Sequence, residues 1–154
     1  MVPLEGPDQG HAPRTVIQEG FAYAARFSPD GRWVVYSVFA PAQDRGVYVR
    51  PFPGLGTRKQ IADARGVPFW RKDGKEIVIA DPRGVRSVRV DATGGELRFG
   101  APELLFSGLR WPNGYNMSVN PFAVSRDGSR IYFVQAVEQP PDSNLIHILT
   151  GWAK

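Results

Sequence analysis

Three stretches of the chain repeat one order of hydrophobic and polar positions. In each stretch an apolar residue precedes an Asp-Gly pair, and a run of β-branched and aromatic residues follows it. Asp is favoured in turns and Gly adopts positive φ without steric cost, so an Asp-Gly pair between two apolar runs predicts a β-hairpin. We therefore expect a hairpin turn, with its glycine at positive φ, at three pairs: Asp30 and Gly31, Asp73 and Gly74, and Asp127 and Gly128.

The spacing of these pairs predicts a repeating unit of strands. The three aspartates follow one another at intervals of 43 and 54 residues, which suits a propeller blade of about four short strands. Strand-like runs fill each repeat: 22–27, 33–38, 47–52 and 58–62; then 67–70, 77–80, 85–90 and 103–106; then 119–124, 131–137 and 145–149. We predict an all-β fold, a β-propeller segment of about three four-stranded antiparallel blades that is part of a larger propeller.

The alternation within the returning strands indicates how the blades pack. Val34 and Tyr36 point to one face of their strand, yet Val35 is apolar on the other face, and the second repeat has the same pattern around Val78. A sandwich sheet would carry polar residues on its outer face. Apolar residues on both faces instead predict a sheet that is covered on each side by a similar sheet.

Counting strands divides the chain into four units. Residues 1–20 would be the end of a preceding blade, with 14–18 as its strand; residues 21–66 and 67–108 are two blades; and residues 109–154 are a last blade with three strands. Closed propellers have about four to eight blades. A lone chain should therefore leave apolar blade faces exposed, and be unstable or associate. Its partner would be the remaining blades of a larger propeller, or a second copy whose residues 14–18 complete the last blade.

Composition fits this architecture and excludes several functions. The 17 Gly and 14 Pro among 154 residues indicate many turns. The 19 basic residues exceed the 15 acidic ones too slightly, and are too evenly scattered, to predict binding to nucleic acid or to a membrane surface. The absence of Cys excludes disulfides and thiolate metal sites. No apolar run approaches the roughly 20 residues that span a bilayer, and the first residues lack a secretion signal.

No residue pattern indicates catalysis, a metal or a cofactor. His11 and His147 have no second ligand at metal-binding spacing, and no serine lies in a nucleophile motif. Each repeated aspartate occupies the same turn position, which favours a structural role for it. The hydroxyls of Ser28 and Ser125 are expected to satisfy backbone groups in the turns. We therefore expect the chain not to be an enzyme.

The connection at residues 107–118 is the best candidate for binding an unknown protein or small ligand, because loops between rigid strands collect recognition residues. It combines aromatic and polar side chains that suit a recognition surface: Arg110, Trp111, Asn113, Tyr115 and Asn116. In the alternative interpretation, Trp111 and Tyr115 fold back and cover the edge of a blade.

Two strings resemble a known family. Residues 27–31, Phe-Ser-Pro-Asp-Gly, resemble the Ser-Pro-Asp-Gly repeat of TolB-type propellers. The other two copies resemble it less closely: both lack the Pro, and the second copy, at 71–74, also lacks the Ser that the third copy keeps as Ser125. Residues 47–54, Val-Tyr-Val-Arg-Pro-Phe-Pro-Gly, and the closing Gly151-Trp152 resemble the C-terminal propeller of bacterial membrane-linked serine/threonine protein kinases. That resemblance implies a non-catalytic sensor or interaction module in the periplasm. The alternative is a gating propeller fragment of a prolyl-oligopeptidase-like hydrolase.

Overall fold

In a computed structural model of the chain, the structure describes residue 17 and the ranges 20–39, 45–54, 56–63, 65–81, 83–93, 96–108, 122–125 and 129–134. The regular elements in these ranges are all strands: β1 (Phe21–Phe27), β2 (Trp33–Phe39), β3 (Gly46–Pro51), β4 (Lys59–Ala62), β5 (Val67–Trp70), β6 (Glu76–Asp81), β7 (Gly84–Asp91), β8 (Arg98–Phe99), β9 (Glu103–Phe106), β10 (Phe122–Val124) and β11 (Ile131–Phe133). The all-β prediction is confirmed for this part of the chain.

Strands β1 to β4 form the first sheet, an antiparallel meander in chain order. Its register pairs Phe27 with Val34 across the first hairpin and Tyr36 with Tyr48 across the next. Strand β1 has a bulge after Tyr23, where Ala24 adopts a positive φ of 54°. The four strands predicted for this repeat are confirmed, with ends that differ by one residue.

Strands β5 to β9 form the second sheet. Strands β5, β6 and β7 are consecutive antiparallel neighbours, and β9 pairs with the first half of β7 as the predicted fourth strand. The two-residue strand β8 was not predicted, because so short a run has no alternation to reveal it. It pairs with the end of β7, where Val90 faces Phe99, and lies on the same edge as β9.

The third repeat is represented by the antiparallel hairpin of β10 and β11, in which Phe122 pairs with Phe133. The turn residues Asp127 and Gly128 and the predicted strand 145–149 lie outside the described residues. Of the predicted strand 14–18 the structure describes Ile17, which lies outside regular secondary structure.

Buried apolar clusters show that the sheets are stacked face to face. Side chains of the first sheet pack against the second sheet in one cluster: Val35, Val47, Val49 and Ile61 with Ile77, Ile79 and Val88. The other face of the second sheet packs against the β10–β11 hairpin in another cluster: Val67, Val78, Ala80 and Val85 with Phe122 and Ile131. The second sheet is therefore buried on both faces, as its sequence predicted.

Equivalent positions of the repeat face the same way. The residues three and five places after the turn glycine point towards the preceding part of the chain in each unit: Val34 and Tyr36 towards Ile17, Ile77 and Ile79 towards the first sheet, and Ile131 and Phe133 towards the second. Equivalent positions of the three repeats therefore contact residues that precede them in the chain. No sheet among the described strands closes on itself.

The first strands of the repeats also contact one another in sequence. The Arg26 guanidinium carbon lies 5.2 Å from the centroid of the Phe69 ring, and that ring lies 4.4 Å from the ring of Phe122. A buried hydrogen bond joins the first two sheets where they meet, because the hydroxyl of Ser37 donates to the carbonyl of Gly66.

One face of the first sheet is largely covered in this structure. Val34, Tyr36 and Val38 are each at most 3% exposed, and Ile17 and Phe52 pack against this cluster. Large apolar side chains of the same sheet are exposed at Phe21, Phe27 and Phe39, by 61%, 49% and 39%. The expectation that a lone chain is unstable or associates therefore stays a prediction.

Candidate ligand site between two Asp-Gly turns

The first Asp-Gly turn is a wider loop than a two-residue hairpin. The amide of Gly31 donates to the carbonyl of Ser28 at 2.9 Å, and the amide of Ser28 donates to the carbonyl of Trp33 at 2.8 Å. Gly31 has a φ of 70°, as predicted, whereas Asp30 has no positive φ. An Asp30-Gly31 turn of either primed type would need positive φ at Asp30, its first central residue, so this turn is of neither primed type.

Hydrogen bonds from the side chains of Ser28 and Asp30 hold this loop together. The hydroxyl of Ser28 donates to Asp30 Oδ1 at 2.6 Å and accepts from the amide of Trp33 at 3.0 Å. Asp30 Oδ1 also accepts from the amide of Arg32, while Oδ2 accepts from Arg32 Nε at 2.7 Å. These bonds, first from Ser28 and then from Arg32, lower the pKa of Asp30 to about 2. The Ser28 hydroxyl thus bonds to a backbone group of the turn, as predicted, and Asp30 bonds within the same loop.

The second turn has the same backbone hydrogen bonds as the first turn, but its side chains differ. The amide of Gly74 donates to the carbonyl of Arg71 at 3.0 Å, and Gly74 has a φ of 69°. Asp73 Oδ1 accepts from the amide of Lys75 at 3.0 Å. Where the first turn has Ser28, this turn has Arg71, whose guanidinium donates to Glu76 at 2.8 Å and whose pKa is raised chiefly by that bond.

The described residues at the two ends of the third turn make the same hydrogen bonds as those of the first turn. The amide of Ser125 donates to the carbonyl of Arg130 at 2.8 Å, and the hydroxyl of Ser125 accepts from the amide of Arg130 at 2.9 Å. These are the same two bonds that join Ser28 to Trp33. The predicted role of Ser125 is therefore confirmed.

The first two turns lie side by side and border a partly open cavity of about 130 Å³. The ring of Pro29 lies close to Gly74. A Cβ atom built on Gly74 would lie 3.9 Å from Pro29 Cδ. Trp33 and Trp70 line the cavity with their large side chains, and the two acidic residues Asp30 and Asp73 lie in the same lining. Two consecutive copies of one turn therefore build a single concave site.

A second cavity of about 160 Å³ shares two wall residues with the first, Trp33 and Leu97. Its wall adds the aromatic ring of Phe99 and the charged side chains of Lys59 and Glu96. Lys59 Nζ donates to the carbonyl of Leu97 at 3.0 Å, so its charge is held at the segment between β7 and β8. Together the cavities form a groove along the contact of the first two sheets.

Carboxylates outnumber ammonium groups in the lining of this groove. The lining residues include Asp30, Asp73 and Glu96, and one lysine, Lys59. Arg32 lies 2.7 Å from Asp30 and Arg71 lies 3.6 Å from Asp73, so these arginines offset part of the negative charge. Asp73, which has the longer of the two contacts, can still attract a cationic group, and the aromatic walls supply contact area.

Sequence reasoning missed this groove and named a site elsewhere. The predicted binding residues Arg110, Trp111, Asn113, Tyr115 and Asn116 all lie outside the described residues. The sequence pattern predicts Trp33 and Trp70 as strand residues and gives them no binding role. The signal that could have found them is the position of a tryptophan beside each of two Asp-Gly turns.

The buried carboxylate of Asp81 has a structural role at the end of β6. Asp81 is 1% exposed; its Oδ1 accepts from the amide of Arg83 at 2.7 Å, and its Oδ2 lies 3.0 Å from Arg86 Nη1. Among the residues that the structure describes, no group of three His, Cys, Asp or Glu could hold a metal ion. Within the same ranges, no helix is long and apolar enough to cross a membrane.

Comparison with known protein families and with curated proteins finds no match to this chain.

Proposed function

We propose that the chain is a segment of a β-propeller that binds a partner or ligand and catalyses no reaction. The observation that supports this proposal most is the repeated direction of packing, in which each unit turns the same strand positions towards the unit before it. Repetition of one packing step is what a propeller requires. A sandwich of two unlike sheets would bury the second sheet on one face.

Binding would use the groove between the first two turns, with residues 107–118 as a second recognition segment. The groove combines aromatic walls and a few charged groups on rigid strands, the composition of ligand sites in general. The serines and aspartates of the two turns are engaged with their own loops. These bonds therefore support a structural role for the serines and aspartates over a catalytic one.

By resemblance, the segment would belong to the periplasmic sensor of a bacterial serine/threonine kinase. The coding sequence that adjoins this chain tests the assignment. A kinase domain upstream in the same reading frame is the expected result. An α/β-hydrolase domain downstream would contradict it and favour a gating propeller of a peptidase.

The absence of catalysis is tested by a screen of ester, peptide and phosphate substrates with the purified chain. We expect no turnover above the buffer control. Turnover that disappears in the His147→Ala variant would contradict the proposal, because it would assign a reaction to a side chain of this chain.

A further inference from the structure

We infer that the cavity between the first two Asp-Gly turns binds an alkylated ammonium group. This inference rests on the proposed binding role and names the ligand class. Trp33 and Trp70 line the cavity together with the carboxylates of Asp30 and Asp73. Indole rings attract cations through the negative charge of their faces, and aromatic side chains are the usual receptor for quaternary ammonium groups. A nearby carboxylate adds attraction between opposite charges.

The two carboxylates differ in how strongly the protein already pairs them. Asp30 lies 2.7 Å from Arg32 Nε. Asp73 lies 3.6 Å from Arg71 Nη2, and Arg71 is held instead by Glu76 at 2.8 Å. Asp73 is therefore the carboxylate with more charge left for a ligand, and it is the residue to change.

The surroundings favour a cation over a neutral or anionic ligand. Glu96 lines the adjoining cavity, which shares a wall with the first one. Lys59 lines the adjoining cavity too, and its ammonium group donates to the carbonyl of Leu97. The lining holds more carboxylates than ammonium groups, although Arg32 and Arg71 offset part of this negative charge. A neutral apolar ligand would gain nothing from this charge, and an anion would be repelled.

The test is a titration of the full chain, labelled with ¹⁵N, with choline and with its uncharged isostere 3,3-dimethylbutan-1-ol. The chain has four tryptophans, at 33, 70, 111 and 152, whose indole N–H signals report separately. We expect choline to shift the signals of Trp33 and Trp70 saturably, and the isostere to bind at least about fivefold more weakly. Equal binding of the two probes would overturn the inference, and so would a choline response confined to Trp111.

Matched variants separate charge and ring effects from folding. Asp73→Asn keeps an oxygen that can accept from the amide of Lys75, so the turn is retained while the charge is lost; we expect choline to bind about fivefold more weakly. Asp63→Asn removes an 87% exposed carboxylate outside the cavity and should leave binding unchanged. Trp70→Leu should weaken binding about two- to fivefold, and Trp70→Phe by less.

Two further measurements test the inference, one with a modified peptide and one with the Asp73→Asn variant. A peptide that carries trimethyl-lysine identifies the source of the cation: tighter binding than choline indicates a side chain of a protein partner, and weaker binding indicates a small ligand. Unchanged choline affinity in Asp73→Asn would overturn the inference. The two proposals fail separately, because substrate turnover contradicts the binding-only role, whereas an absent choline response contradicts the ammonium site.

Discussion

Truncation of buried side chains on the two faces of β6 tests whether the second sheet lies between two others. Ile79 faces the first sheet and is 0% exposed, while Val78 faces the β10–β11 hairpin and is 1% exposed. Each variant, Ile79→Ala and Val78→Ala, removes apolar contacts from one interface only. Leu104→Ala is the control, because Leu104 lies on β9 and is 58% exposed.

The expected losses follow from the buried groups removed. Ile79→Ala should lower the free energy of unfolding by about 2–5 kcal/mol, as other Ile→Ala changes in closed cores do. Val78→Ala deletes two carbons; at about 0.8 kcal/mol for each, with a further cost for the cavity, the loss is roughly 2–3 kcal/mol. Leu104→Ala should cost less than about 1 kcal/mol, because the side chain remains largely in water.

Urea unfolding followed by circular dichroism measures these differences through the transition midpoint. Thermal unfolding gives a second measure, since 1 kcal/mol corresponds to about 2–4 °C for a chain of this size. A loss for Val78→Ala no greater than that for Leu104→Ala would refute the reasoning. That result would mean that one face of β6 is open to solvent, as in a sandwich.

Three further predictions concern the turns and the assembly. Gly31 and Gly74 have positive φ, and the sequence predicts the same for Gly128. Replacing any one of them with Val should lower the free energy of unfolding by about 1 kcal/mol or more, because a β-branched residue is strained at positive φ, and thermal melting of each variant measures this loss. The pKa of Asp30 is lowered to about 2, so its stabilising contribution is present above pH 4 and is lost as pH falls towards 2; Asp30→Asn should flatten that part of an acid titration. Light scattering should show association of the chain, and deletion of residues 1–20 should change the assembly or its stability.

Each of these predictions has an outcome that contradicts it. Unchanged melting of all three valine variants would mean that the turns are misassigned. An acid transition in Asp30→Asn with the shape of the parent's would show that this carboxylate does not couple folding to pH. A well-folded monomer whose stability is unaffected by the deletion would contradict both the larger propeller and the strand-exchanged pair.

Local pattern in the sequence was sufficient to predict the hairpins. The turn glycines Gly31 and Gly74 and the flanking strands follow from a short string of residues, and so does burial on both faces of β6. The shape of the turn was not predicted, because it depends on bonds from the Ser28 hydroxyl to Asp30 and to the backbone of Trp33.

The candidate site could not be predicted from the sequence because its walls come from separate repeats. Trp33 and Trp70 belong to turns in different sheets, and only the face-to-face contact of those sheets brings them to one cavity. Leu97 reaches the same wall from the segment before β8. Residues that are adjacent in the chain can be recognised from the sequence, and for that reason the sequence favours the aromatic loop around Trp111.

The order and facing of the stacked sheets can be measured directly by nuclear Overhauser contacts between labelled Ile and Val methyl groups. We predict cross-peaks from Ile77 and Ile79 to methyl groups of the first sheet, and from Val78 and Val85 to Ile131 of the β10–β11 hairpin. Cross-peaks from Val78 to the first sheet, or an absence of contacts on one face of β6, would contradict the stack of similarly facing sheets from which the propeller is proposed.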